Sequence, residues 1–283
     1  MSRGKAAILG FLVVLFGTAL FTVPLVHWPV WKPAPKRSTR PPAAAAKPTL
    51  APGTEFTGTK AVGRENGQRK WEFQADRITR SLDGLTVNAV KIRGGRLYED
   101  GKTVCSFEAG LVRYEGIFRR ITIAGGIKGR WPDGLTFTAA KAIIDLGREQ
   151  LIIPGKVKVD GAKESLHADS MTADYAAQMI TLQGHVACRW SGGMTLSTEI
   201  ALFDAKNKQL TAPGEVKVKG ESETLRADSM TADLKAETFT LRGHVEGRWE
   251  EGTLLHAAEV TYGVKDGTYL LQGMEGERVE LSL

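Results

Sequence analysis

From Glu55 to the C-terminus, apolar and polar residues alternate in short runs, the pattern of strands with one buried face. Within MITLQGHVACR, the residues Ile180, Leu182, Gly184, Val186 and Cys188 fall on one face. The same alternation groups Leu210, Ala212, Gly214, Val216 and Val218, and then Phe239, Leu241, Gly243, Val245 and Gly247. Each of these runs follows one that alternates differently. In LHADSMTAD, Leu166 and Ala168 share one parity, and Met171 and Ala173 take the other. A strand that changes its buried face partway must bend or bulge there. Turn-forming stretches such as 204–208 and 265–267 separate the runs.

These pairs of runs repeat. LHADSMTADYAAQMITLQGHVACRW (166–190) returns as LRADSMTADLKAETFTLRGHVEGRW (225–249), 59 residues later, and a weaker copy occupies 107–131. The 59-residue step divides into units of 30 and 29 residues, beginning at Phe107, Phe137, Leu166, Leu196, Leu225 and Leu255. Each unit carries a glycine in its second half: Gly125, Gly155, Gly184, Gly214, Gly243 and Gly273. A degenerate earlier unit begins near Phe73 in WEFQAD, where Ala75-Asp76 stands as Ala168-Asp169 stands later. A fixed repeat dictates architecture. Long, bent, antiparallel strands with one greasy face must fold that face against itself. The expectation is all-β: an elongated, twisted antiparallel jelly roll or folded-over sheet, with two facing sheets of bent strands. Its inward positions are Ile121, Ile123 and Ile127; Leu151, Ile153 and Val157; Ile180, Leu182 and Val186; Leu210 and Val216; and Phe239, Leu241 and Val245. Trp131, Trp190 and Trp249 share that parity at the ends of alternate strands, each preceded by an arginine (Arg130, Arg189, Arg248). They read either as a capped core edge or as a ladder lining a mouth.

Upstream of the strands the pattern changes twice. Residues 6–26 contain no charge, and at about 1.5 Å per residue they match a bilayer's hydrocarbon core. Trp28 and Trp31 follow at interfacial depth. A cleaved signal peptide is the competing reading, but the one good small-residue site, 43–46, lies far downstream. The organisation expected is a cytoplasmic stub (1–5), a transmembrane helix (6–26), a Pro/Ala-rich semi-stiff linker (27–54), a first part of the β body (55–106) and the repeat region (107–283).

The formal charge of +6 changes meaning once it is located. Residues 1–54 hold seven basic residues and no acid, which leaves thirty-one basic against thirty-two acidic in the body. A near-neutral body lacks the patch a nucleic-acid binder needs. Taken alone, the linker's charge would put the body in the cytoplasm.

Two cysteines, Cys105 and Cys188, make neither a disulfide framework nor a metal quartet, and they read as small buried side chains. The five histidines include no metal-ligand pair, and His185 and His244, as repeat equivalents, read as polar residues at rung edges. Asp169, Asp174, Asp228 and Asp233 read as turn and solubility residues at strand ends. No catalytic constellation is present, so no enzyme activity, metal or cofactor is expected.

The pattern ADSMTAD…ITLQGHV resembles the OstA-like repeat of the lipopolysaccharide-transport proteins LptC and LptA, with His185 and His244 where asparagine is usual. The anchor followed by WEFQAD looks most like LptC, extended by about one 59-residue repeat. The resemblance implies a single-pass inner-membrane protein with its folded part in the periplasm, against the charge count. It implies that the fourteen inward residues hold lipid A acyl chains, with the Trp and Arg pairs at the mouth. It further implies partners: lipopolysaccharide, an inner-membrane ABC transporter, and an LptA-like bridge protein docked by edge-strand pairing. A structural β-repeat scaffold, its interior filled by its own side chains, fits the same pattern, although the small inward residues Ala168, Gly184, Cys188, Ala212 and Gly247 lean towards a hollow interior.

Overall fold

The computed structural model describes residues 54–65, 68–99, 101–132, 134–162, 165–189, 194–220, 222–249, 251–263, 269–273 and 280–282. The expected membrane helix (6–26), the linker up to residue 53, and Trp190 lie outside the described residues. Among those described, no helix is long and apolar enough to cross a membrane.

The strands are β1 (Glu55–Glu65), β2 (Gln68–Arg80), β3 (Thr86–Glu99), β4 (Lys102–Glu115), β5 (Arg120–Arg130), β6 (Thr136–Asp145), β7 (Gln150–Ile153), β8 (Val157–Asp160), β9 (Ser165–Ala168), β10 (Ser170–Asp174), β11 (Met179–Arg189), β12 (Thr195–Asp204), β13 (Gln209–Ala212), β14 (Val216–Lys219), β15 (Glu223–Ala227), β16 (Ser229–Asp233), β17 (Thr238–Trp249), β18 (Leu254–Gly263), β19 (Tyr269–Gln272) and β20 (Glu280–Ser282). All belong to one antiparallel sheet. Its order is a plain meander, because each rung pairs with the next in sequence. Five rungs are split into two pieces: β7 with β8, β9 with β10, β13 with β14, β15 with β16, and β19 with β20. With rungs about 4.8 Å apart, the fifteen rungs extend roughly 65–70 Å.

From β5 to β18 the rungs bend near their middles, and neighbouring rungs do so by different means. On β9 and β10 the buried residues are Leu166, Ala168, Met171 and Ala173, a step of three across the bend. On β11 they are Ile180, Leu182, Val186 and Cys188, a step of four. The extra residue of β11 is a bulge, seen as a register shift between Gln183 and Val186. Gly184 and His185 take it up with φ of +75° and +45°. The same device recurs at Gly125-Gly126 and at Gly243-His244. On the intervening rungs the extra residue lies in Pro154-Gly155 and Pro213-Gly214, where the ladder breaks because proline has no N–H to donate. This alternation of two bend types explains why the sequence repeats best at 59 residues although its hairpin is half that.

Bending folds the sheet over. The described chain offers no helix and no second sheet, yet Ala173, Ile180, Leu196, Ala212, Val216 and Leu241 are fully buried. Only the other half of the same rungs can cover them. A contact across the opening confirms this: Trp249, at the end of β17, meets Tyr269, at the opposite end of its rung, edge to face at 6.2 Å. The body is therefore one sheet folded on itself rather than two separate sheets. Its interior forms two clusters. A large one runs from Ile127 to Val260, and a smaller one is built on Trp71, Phe73, Ala89 and Ile92, with Ile123 and Ile144 packed against both.

One rim of the folded sheet is a ladder of like turns, at 116–119, 146–149, 175–178, 205–208 and 234–237. The last residue of each (Arg119, Glu149, Gln178, Lys208, Glu237) is left-handed. The amides of Leu146, Tyr175, Ala205 and Leu234 donate to the carbonyl that closes the previous turn, at 2.8–2.9 Å. Asp145, Asp174, Asp204 and Asp233 cap these turns by accepting backbone N–H bonds at 2.8–3.0 Å. Those N–H donors hold all four carboxyls below the usual aspartate range.

Candidate functional site

The interior of the fold is where the sequence placed its candidates. Twelve of the fourteen inward residues are buried: Ile121, Ile127, Leu151, Ile153, Val157, Ile180, Leu182, Val186, Leu210, Val216, Leu241 and Val245. Ile123 and Phe239 are half-buried against the same clusters. The first strand of each hairpin contributes as much as the second. Leu166, Leu196, Phe203, Leu225, Leu255 and Val260 are each no more than 2 % exposed. They lie outside the fourteen positions because their strands switch parity at the bend and so break the simple alternation. The step of three in the first strands was the signal that could have found them.

The interior is sealed along its middle. Of the small inward residues, Ala168, Cys188, Ala212 and Gly247 are themselves buried, and Gly184 is half-buried at the bend. A Cβ on Gly247 would come within 2.8 Å of the Trp249 ring and 3.0 Å of Leu225. Space freed by the small residue is taken by its neighbours. Any cargo must therefore part the two halves of the sheet.

The two halves of the sheet meet at the C-terminal end of the described body. Tyr269 touches Trp249, stacks obliquely on Tyr262 at 4.7 Å, and its hydroxyl donates to Glu223 at 3.5 Å. Burial and the neighbouring Glu223 raise the Tyr269 phenol above its ordinary range. Trp131 packs edge to face on Phe137 at 6.4 Å along its own rim. Arg130, Arg189 and Arg248 are exposed, and Arg130 and Arg248 sit on the face opposite Trp131 and Trp249, as strand alternation requires.

The bend line carries a constellation absent from the sequence-based expectations. Asp169, in the bend between β9 and β10, lies 2.6 Å from His185 Nδ1. Asp228, at the equivalent bend, lies 2.7 Å from His244 Nδ1. Both histidines therefore sit at the middle of their rungs, not at rung edges, and both aspartates bind histidine rather than serving a strand end. Their pairing could not be read by spacing alone, since the partners are sixteen residues apart and meet only through hairpin register. Asp169 raises the His185 pKa, with Glu199 adding to the effect. Among the described residues no group of three or more His, Cys, Asp or Glu could hold a metal ion. Cys105 and Cys188 are buried and free, and burial pushes their thiols up to about 11 and about 12.

The arrangement defines a class: an antiparallel β-repeat body with a continuous apolar interior and no reactive centre among the described residues. Residues 154–250 match the family described as lipopolysaccharide-assembly, LptC-related, so the resemblance drawn from the repeats holds over that segment. A search of curated proteins gives no match. Among solved structures the chain is similar to LptH, the LptA homologous periplasmic component of the lipopolysaccharide transport device from Pseudomonas aeruginosa. Identity is 12 %, covering 53 % of this chain and 95 % of that one, with a TM-score of 0.25. It is also similar to the E1021V mutant of the TCP10 domain of Danio rerio CPAP, at 10 % identity, 69 % and 92 % coverage, and a TM-score of 0.15. At such scores neither likeness bears on how this chain folds or acts.

Proposed function

We propose that this chain is a membrane-anchored periplasmic component of lipopolysaccharide export. It takes lipopolysaccharide from an inner-membrane ABC transporter, holds the acyl chains between the two halves of its folded sheet, and passes them to an LptA-like bridge protein. Residues 6–26 anchor it by a single pass, with the β body in the periplasm. Edge-strand pairing at one end of the meander joins it to the bridge protein, because an edge rung presents unpaired backbone donors and acceptors.

The observation that carries this reading is the unbroken apolar interior from Ile127 to Val260, within a segment that matches an LptC-related family. Acyl chains need a water-excluding path, and burial there is favourable by about 25 cal/mol per Å². The halves are joined along the bend line, so parting them at the rims exposes the interior without breaking the ladder. Depleting the chain in cells tests the role. Lipopolysaccharide should accumulate in the inner-membrane fraction, and its undiminished arrival at the outer membrane would sink the proposal.

A second reading has its own support. The sealed middle of the interior, with Ile180, Leu196 and Leu241 wholly buried, suits a scaffold whose core is filled by its own side chains. A scaffold would yield no lipid adduct from any inward position.

A further inference from the structure

The rim that carries the ladder of turns is not uniform. Its turns share one geometry, and the closing residues Arg119, Gln178 and Glu237 have φ of +47°, +55° and +56°. The two residues at each tip therefore answer to the same structural demands. Two of these tips carry Ala176-Ala177 and Lys235-Ala236. At the equivalent place the first carries Ile117-Phe118, which are 71 % and 63 % exposed. The repeats act as internal controls: alanine or lysine suffices for the fold, so two large apolar side chains held in water are not there for stability.

They are not alone. Gly116 donates its N–H to the carbonyl of Leu85 at 2.7 Å, which sets the 116–119 turn beside the 81–85 turn. There Leu82 and Leu85 are 68 % and 41 % exposed. Phe56, on the adjoining edge strand, is also exposed. Half of the large apolar residues exposed on the described body thus gather at one corner. A patch of this kind marks a docking surface. Arg119 and Arg148 are exposed on the same stretch of rim.

The chain itself indicates what covers the corner. Arg80 donates its N–H to the carbonyl of Thr54 at 2.9 Å, so the linker joins the body beside the 81–85 turn. That linker is short of acids, carries Lys32, Lys36, Arg37, Arg40 and Lys47, and leads back to the uncharged stretch 6–26. Extended, residues 28–53 would reach roughly 80 Å at ~3.1 Å per residue, so the tether alone leaves the body free to swing. We propose that the corner formed by Leu82, Leu85, Ile117 and Phe118 seats on the surface of the bilayer that holds residues 6–26. The four apolar side chains enter the interfacial layer, and Arg119 and Arg148 meet anionic lipid headgroups. This fixes the rungs relative to the membrane, with the C-terminal rungs turned away from it. The inference rests on the anchored reading given above.

The full chain, reconstituted into phosphatidylethanolamine and phosphatidylglycerol vesicles, tests it. Both native cysteines are buried, so a bimane label can be placed singly at Ile117→Cys, Ala176→Cys or Lys235→Cys. Quenching by brominated acyl chains should be several-fold greater at 117 than at 176 or 235, and quenching by aqueous iodide correspondingly weaker. A label at Leu82→Cys should behave like the one at 117, and the double change Ile117→Ala/Phe118→Ala should release it to iodide with circular dichroism unchanged. Equal iodide access at 117, 176 and 235 overturns the seat. Shielding of 117 from both quenchers also overturns it, and points to a second copy of the chain as the occupant. A chain that fails to float with the vesicles overturns the anchor and the seat together, whereas flotation with an exposed 117 overturns the seat alone.

Discussion

Three glycines at equivalent bends should respond to alanine in three different ways. Gly184 is left-handed (φ +75°), and an added Cβ would lie 2.7 Å from Asp169 Oδ2 and 2.8 Å from its Cβ. Gly126 is also left-handed (φ +84°), but an added Cβ would meet nothing within 4 Å. Gly155, in the Pro-Gly type of bend, has neither a left-handed φ nor a neighbour within 4 Å. A left-handed alanine costs about 1–2 kcal/mol, and restricting the unfolded chain returns about 0.4–1 kcal/mol. Gly126→Ala should therefore destabilise by about 0.5–1.5 kcal/mol. Gly184→Ala adds an overpacking cost of about 1–3 kcal/mol and must also displace Asp169 from His185, giving roughly 2–4 kcal/mol in all. Gly155→Ala should be neutral or stabilise by up to about 1 kcal/mol. Urea titrations followed by circular dichroism and tryptophan fluorescence give the midpoints. Equal losses for all three variants would refute the claim that the bend line alternates between a left-handed bulge and a Pro-Gly break.

Acid and base should act on different parts of the rungs. Asp174 is held low by the Ala177 N–H, so its contribution is complete above the unfolded value of about 3.9 and is lost as pH falls through the lowered one. Asp174→Asn should flatten the acid limb of a urea-midpoint profile. His185 is raised by Asp169, so its contribution is complete below about 6.5 and fades as pH rises through the raised value. His185→Gln should remove that slope in the same assay. Ellman's reagent should find no thiol in the native protein and two after denaturation, since Cys105 and Cys188 are buried with thiols shifted to about 11 and about 12. Leu182→Ala, at a site 2 % exposed, should cost about 2–5 kcal/mol by the urea midpoint.

What could be read from the sequence was whatever local alternation encodes. Ile180, Leu182, Val186 and Cys188 announced a strand face, and the switch between Ala168 and Met171 announced a bend. The kind of bend was not legible. Gly184 and Gly214 occupy equivalent places, yet one takes a left-handed bulge and the other follows a proline that breaks the ladder. The Asp169–His185 and Asp228–His244 pairs escaped because they depend on register between strands, which the bulge itself shifts by one residue. Small inward residues misled for a related reason. Gly247 looks like empty space along its strand, but Leu225 and Leu255 of the neighbouring rungs and the Trp249 ring two residues on close over it. The exposed corner at Ile117-Phe118 was not legible because it exists only where strand register sets the 116–119 turn beside the 81–85 turn.

In the proposed function, lipopolysaccharide acyl chains lie between the two halves of the folded sheet. A photo-crosslinking residue placed in cells at inward Leu182 and, separately, at the adjacent outward Gln183 tests it most directly. Cargo held between the halves should give a lipopolysaccharide adduct from position 182 and none from position 183. Adducts from 183 alone, or from neither position while the protein is expressed and folded, would contradict it and leave the scaffold.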